Sequence, residues 1–184
     1  MNKQRILAIV GMAGAGKSEA AAFFVTKHIP VLRFGDETDI GLREAGKPLT
    51  ETNERWYREK LRRDFGMAAY AIKIKPRIDA ALQKHDLVVL DGLYSWEEYT
   101  YLLEQYPDLT LLCVYAPSSV RYARLQSRRV RSLTPSEART RDIAELEHLH
   151  KGGPIALADY LVVNESTLPN LHRLLTNVLR EMCL

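Results

Sequence analysis

A chain of 184 residues, 46% hydrophobic and 27% charged, is long enough to bury a substantial core and is read as one domain spanning residues 1–184. No apolar run approaches the ~18 residues that span a membrane. The net charge of +3 gathers in one arginine-rich stretch, which favours a small anionic ligand over nucleic acid. Cys113 and Cys183 form no CxxC pair and no metal spacing, as expected of a reduced, cytoplasmic protein.

In chain order, Lys3 and Arg5 followed by small apolar residues imitate a signal peptide, but the motif that follows explains those small residues better. Arg5 to Val10 reads as a strand buried on both faces, and Ser18 to Lys27 reads as a helix. Between them, Gly11-Met12-Ala13-Gly14-Ala15-Gly16-Lys17-Ser18 matches the P-loop pattern. Backbone N–H groups in such a loop turn inward onto phosphate oxygens, and the helix that starts there favours the anion. Lys17 is placed for the β- and γ-phosphates of ATP and Ser18 for Mg²⁺.

Val31 to Gly35 reads as the second strand, with Asp36 just past its carboxyl end, the edge of a parallel sheet where ligands bind. Asp36 is a candidate to orient or deprotonate an acceptor or to hold a metal's water, against an alternative as helix N-cap. Thr50 to Gln83 reads as two helices broken near Gly66, the first capped by Thr50, with Trp56, Leu61, Phe65 and Met67 suggesting one apolar face of the segment. Leu87 to Asp91 is a buried strand that delivers a carboxylate beside the loop, a candidate Mg²⁺ holder, with a turn role for Asp91-Gly92 as the alternative. Ser95 and Glu98 have capping-box spacing at the start of a helix to about Gln105.

Thr110 to Tyr115 is the fourth strand, followed by a helix from about Ser119. Arg121, Arg124, Arg128, Arg129 and Arg131 come next, then Arg139, Arg141 and Asp142 on another helix that starts near Ser136 and Glu137. Guanidinium groups grip phosphates bidentately, so residues from about 121 to 152 read as a phosphate-gripping lid, with Arg128, Arg131, Arg139 and Arg141 as the best contacts. The alternative is a helical hairpin salt-bridged through Asp142, Glu145 and Glu147. Lys151-Gly152-Gly153-Pro154 breaks the helix, Asp159 to Asn164 holds the fifth strand, and Leu168 to Met182 is an amphipathic helix. The histidines show no metal spacing, and His148 with His150 reads as a solvated pair.

With these residues in place the chain resembles the P-loop kinases related to nucleoside monophosphate kinases and dephospho-coenzyme A kinase, and in particular a largely archaeal, adenylate-kinase-related group. The resemblance runs through Gly11 to Glu19, Phe34-Gly35-Asp36, Leu90-Asp91-Gly92, Arg121, Arg124 and Arg128, Arg141-Asp142, Ala158-Asp159-Tyr160 and Asn164. It implies a three-layer α/β/α sandwich on five parallel strands, ATP held by Gly11 to Glu19, an acceptor facing Asp36, and a mobile arginine-bearing lid. Such relatives carry an arginine where this chain has Tyr94, a departure on the acceptor side. The expected activity is transfer of the γ-phosphoryl group of ATP to a small phosphorylated acceptor, a nucleoside or deoxynucleoside monophosphate or dephospho-coenzyme A. The alternative is a P-loop NTPase working as a nucleotide-binding switch, which needs an exposed mobile surface where a kinase must exclude water.

Overall fold

Apolar runs of three to seven residues make up the sheet in a computed structural model that describes residues 4–129 and 131–182; Lys3 and Cys183 lie outside these. The strands are β1 (Arg5–Val10), β2 (Val31–Arg33), β3 (Leu87–Asp91), β4 (Leu109–Tyr115) and β5 (Tyr160–Val163). They form a five-stranded, all-parallel sheet in the order β2-β3-β1-β4-β5. The chain leaves β1 toward one edge and later crosses to the other, so the crevice at the carboxyl ends of β3, β1 and β4 is the topological switch point. Ile9 is paired with Asp91 and Val10 with Cys113, which brings the end of β3 level with the last residues before Gly11.

Both faces of the sheet are covered, which is why its central strands are apolar throughout rather than alternating. On one face Ile6, Ala8, Val10, Val88, Leu90 and Leu111 pack with α3 (Glu51–Phe65), α4 (Ala69–Leu82) and α5 (Trp96–Gln105), through residues such as Leu61, Ile74 and Leu102. On the other, Leu7, Ile9, Val89, Leu112, Val114 and Val162 pack with α1 (Lys17–Thr26) and α9 (Leu168–Glu181), through Phe23, Phe24, Leu171 and Leu175. The result is the expected three-layer sandwich. The remaining helices are α2 (Asp36–Glu44), α6 (Ser118–Gln126), α7 (Pro135–Leu149) and the single turn α8 (Gly152–Ala156).

Local signals fixed most boundaries. Thr50 accepts a hydrogen bond from the Asn53 N–H, and Gly66 ends α3 at a φ of 73°. The boxes at Ser95/Glu98 and Thr134/Glu137 are both closed, so α7 starts at Pro135, just ahead of the expected Ser136. Two expectations are corrected. The second strand stops at Arg33 because Gly35 is already helical, which makes Gly35 the N-cap of α2 and puts Asp36 inside the first turn. Of the apolar face expected on α3 only Leu61 is buried; Trp56 and Phe65 are 39% and 44% exposed. Apart from Leu61, α3 packs chiefly against α2 and α4, and the ammonium groups of Lys47 and Lys73 cover those two rings at 4.8 and 4.9 Å. After α7 the helix breaks as expected, the chain turning at His150 with a φ of 50°, and the Gly-Gly-Pro stretch itself forms the separate turn α8.

The α5 box carries a measurable consequence. Glu98 is buried and accepts from the N–H groups of Tyr94 (2.8 Å) and Ser95 (3.2 Å), while burial raises its carboxyl to about 7 from an ordinary value near 4.5. Between those pH values the native state binds the extra proton, so Glu98 costs the protein stability as pH rises from 4.5 through 7. Glu98→Gln keeps the acceptor and removes the charge. Urea unfolding should show the variant gaining about 1–3 kcal/mol on the parental protein between pH 5 and pH 8; a constant difference across that range would refute the assignment.

Candidate functional site

The phosphate loop joins β1 to α1 with its backbone pressed against β4 and β5. A Cβ on Gly11, at a φ of 139°, would overlap the Val114 carbonyl oxygen, and one on Gly16, at 106°, would overlap the Asn164 amide. Asn164 is buried beyond β5 and donates from Nδ2 to the Ala15 carbonyl at 2.8 Å, propping the loop from below. Lys17 curls back over the loop and donates to the carbonyls of Gly11 (2.8 Å) and Met12 (3.1 Å). Burial, and then repulsion from Lys151, lower its ammonium to about 7, against the opposing pull of Glu145 and Asp91.

Above the loop lies a cavity of about 720 Å³, walled by Ala13, Gly14, Gly16, Lys17, Ser18 and Glu19 below and by Arg124, Arg128, Arg131 and Arg141 from the α6–α7 segment. Asp91 reaches it from β3, half-buried, its carboxyl pushed up by burial, with Arg33 Nε 3.8 Å away. Among the described residues no three His, Cys, Asp or Glu side chains are grouped as a metal cage. Ser18 and Asp91 together offer a hydroxyl and a carboxylate, an all-oxygen pair that fits Mg²⁺ completing its shell with phosphate oxygens and water.

The arginines divide by role. Arg121 is 7% exposed and bridges three segments: it donates to the Ala13 and Ala116 carbonyls and, bidentately, to Asp142 at 3.0 and 2.7 Å. That joint and the Arg141–Glu145 pair at 2.9 Å realise the salt-bridged hairpin in part, while Arg124, Arg128, Arg131 and Arg141 still face the cavity. Arg139 does not line it; the residue is exposed, within electrostatic reach of Tyr122. Arg131 also pairs with Glu51 (3.2 Å) and Glu54 (3.5 Å) on α3.

A second cavity of about 430 Å³ opens beside the first, lined by Phe34, Asp36, Thr38, Leu49, Arg58, Arg62, Tyr70 and Glu98. Arg33, Tyr94 and Arg131 line both, so the two cavities adjoin. Asp36 is held by Arg77 at 3.2 Å, a guanidinium that also grips Glu37 at 2.6 Å. Sequence reasoning missed Arg33, Arg77, Glu145 as a cavity residue, and Lys151. Lys151, 2% exposed, donates to Glu145 at 2.7 Å and lies 4.8 Å from the Tyr94 ring, yet in the sequence it was only the lead-in to a Gly-Gly-Pro break.

The low Lys17 value links folding to pH. The unfolded lysine keeps its proton up to about 10.5 and the native one only to about 7, so in that interval the unfolded chain binds more protons and stability rises with pH. In nucleotide-free buffer the parental protein should therefore gain stability on Lys17→Met as pH goes from 7 to 9 in denaturant titrations; parallel curves would exclude the shift.

A family model described as an AAA domain matches residues 7–145. A UPF0200 protein of Pyrococcus abyssi is 32% identical over 182 residues, 96% of each chain, and one of Methanoculleus marisnigri is 36% identical over 166 residues, 89% of each. Among solved structures, a shikimate kinase from Bacteroides thetaiotaomicron superposes with a TM-score of 0.62 over 98% of this chain and 99% of that one, at 14% identity. A gluconokinase from Sinorhizobium meliloti gives 0.55 over 99% and 96%, at 20% identity. Residues 7–145 thus belong to the AAA-domain family, the fold is that of the P-loop kinases, and the whole chain belongs to the UPF0200 family.

Proposed function

We propose that this protein is an ATP-dependent kinase that moves the γ-phosphoryl group to a small phosphorylated acceptor, a nucleoside or deoxynucleoside monophosphate or dephospho-coenzyme A. The observation that carries the proposal is the pair of adjoining cavities, one floored by the phosphate loop and the other by the acid after β2, sharing Arg33, Tyr94 and Arg131 as a common wall. A nucleotide switch accounts for the first cavity and leaves the second without a use. The proposal takes residues 1–184 as one kinase domain with residues 121–152 as its lid, working in the cytoplasm. No helix among the described residues is long and apolar enough to cross a membrane.

In this reading the ATP phosphates lie over the backbone from Gly11 to Ser18, with Glu19 at the rim. Lys17 exchanges the Gly11 and Met12 carbonyls for phosphate oxygens and takes up a proton as it does so, because an adjacent anion favours the charged ammonium. Ser18 and Asp91 hold Mg²⁺, which when bound spreads the charge of the β- and γ-oxygens. Asp36, oriented by Arg77, receives a hydrogen bond from the acceptor and points the acceptor oxygen at the γ-phosphorus. Arg128, Arg131 and Arg141 close from the lid onto the charge spread over the transferring group. Arg139 joins them only if α7 turns, since here it faces away from the cavity.

ATP and Mg²⁺ turnover over a panel of nucleoside and deoxynucleoside monophosphates and dephospho-coenzyme A is the decisive experiment. At least one acceptor should be phosphorylated, and Lys17→Ala should lower that turnover by roughly a hundredfold or more with the fold intact. Asp36→Asn should depress phosphoryl transfer while ATP binds within about twofold of the parental affinity. ATP hydrolysis unchanged by every acceptor, with Asp36→Asn inert, would promote the switch reading.

A further inference from the structure

Lys151 is the least expected charge in the molecule. Its side chain is 2% exposed but still forms part of the phosphate cavity wall. Burying an ammonium costs several kcal/mol, so a lysine in such a place needs a compensating partner. Glu145 supplies one at 2.7 Å, but the same carboxylate also holds Arg141 at 2.9 Å. Counting the neighbours that act on Lys17, the group holds three cations, Lys17, Lys151 and Arg141, against two acids, Glu145 and Asp91. The surplus is positive, and the two lysines repel each other across a cavity with room for a polyanion. Apolar packing would stabilise this corner better; an anion arriving between the lysines turns their repulsion into shared attraction.

Position narrows the role. Lys151 stands between α7 and α8, and α8 is seated on the body of the protein, where Gly153 lies so close to the Trp96 ring of α5 that a Cβ would overlap it. This cation therefore stands at the anchored end of the 121–152 lid, where the chain rejoins the fixed body, in contrast to the arginines further along the α6–α7 segment. Its ammonium is also held 4.8 Å from the centre of the Tyr94 ring, and Tyr94 lines both cavities. The lysine thus stands on the first cavity's side of Tyr94, beside the junction where, in the kinase reading, a phosphoryl group would pass from donor to acceptor.

We infer that Lys151 is a catalytic residue whose ammonium leaves Glu145 to contact the transferring phosphoryl group at the junction of the two cavities. The inference rests on the kinase reading and adds to it a stationary cation of a different residue type. In the step itself the bond from the γ-phosphorus to the ADP oxygen breaks and one from an acceptor oxygen forms. Lys151 neither gives nor takes a proton. An acceptor phosphate has none to lose, and an acceptor hydroxyl passes its proton to Asp36.

The test compares Lys151→Met with the parental protein by calorimetric titration with Mg²⁺ and either ADP or the β,γ-imido analogue of ATP. ADP should bind within about twofold of the parental affinity and the analogue roughly tenfold or more weakly, with Lys151→Arg recovering part of the loss. With an acceptor that turns over, kcat should fall by roughly a hundredfold while the acceptor KM moves little. The double variant Lys151→Met/Glu145→Gln, which leaves no carboxylate without its partner, should repeat the pattern if the single variant unfolds. In unaltered protein, the Lys151 side-chain NMR signal should shift on adding the analogue and stay in place with ADP. Equal weakening of both nucleotides, no weakening of either, or a Lys151 signal indifferent to the γ-phosphate would overturn the inference. A parental protein that phosphorylates nothing in the panel would instead count against the kinase reading, and the difference between ADP and the analogue would still decide the contact.

Discussion

The site depends on one constraint: a cluster of cations must be held together, partly dehydrated, when no anion is present to justify it. Lys17 answers by bonding to its own loop carbonyls and giving up part of its basicity. Arg121 is spent on Asp142, and Lys151 with Arg141 share Glu145. Each of these arrangements leaves a cation positioned, buried or bridged, and in the kinase reading those of Lys17, Lys151 and Arg141, which line the cavity, are the ones to be traded for phosphate oxygens. In that reading Glu145 is the placeholder for the ligand charge.

The sheet makes that cluster possible. Because β1 lies between β3 and β4, the loop that leaves it is flanked by Asp91 on one side and by the start of the α6–α7 segment on the other. The all-parallel order brings the carboxyl ends of these strands to one edge, and the register of Ile9 with Asp91 sets how high the acid stands against the loop. Asn164, one residue past β5, then supports the loop from the far side of β4. Residues more than a hundred positions apart thereby share one small volume.

How much of this was legible in the sequence follows from how local each signal is. Gly11 to Ser18, the run ending in Asp91, and the caps at Thr50 and Ser95 declare themselves within a few residues, because the glycines, apolar runs and hydroxyl caps act on their immediate neighbours. The face expected of Trp56 and Phe65 failed because helical spacing marks a stripe without saying which layer of the fold will meet it. Lys151, Arg77 and Arg33 were illegible for a related reason. Arg77 and Arg33 take their meaning from Asp36 and Asp91, partners that only the tertiary structure brings close, and Lys151 from the turn after α7 that folds it back onto Glu145 and into the cavity wall. Arginine density was a sound guide to the cavity wall but could not separate Arg121, a joint, from Arg128, a cavity face.

Arg131 reaches from the α6–α7 segment to Glu51 and Glu54 on α3, spanning the mouth between the two cavities. Both Arg131 and Glu51 are largely exposed, so water and salt weaken the pair, and such contacts contribute well under about 1 kcal/mol each. A strap this weak cannot hold the mouth shut, yet it ties the roof of one cavity to the outer wall of the other. In the kinase reading, a ligand that draws Arg131 into either cavity would release its pairs on α3, so one exposed guanidinium would carry word of each substrate to the other chamber.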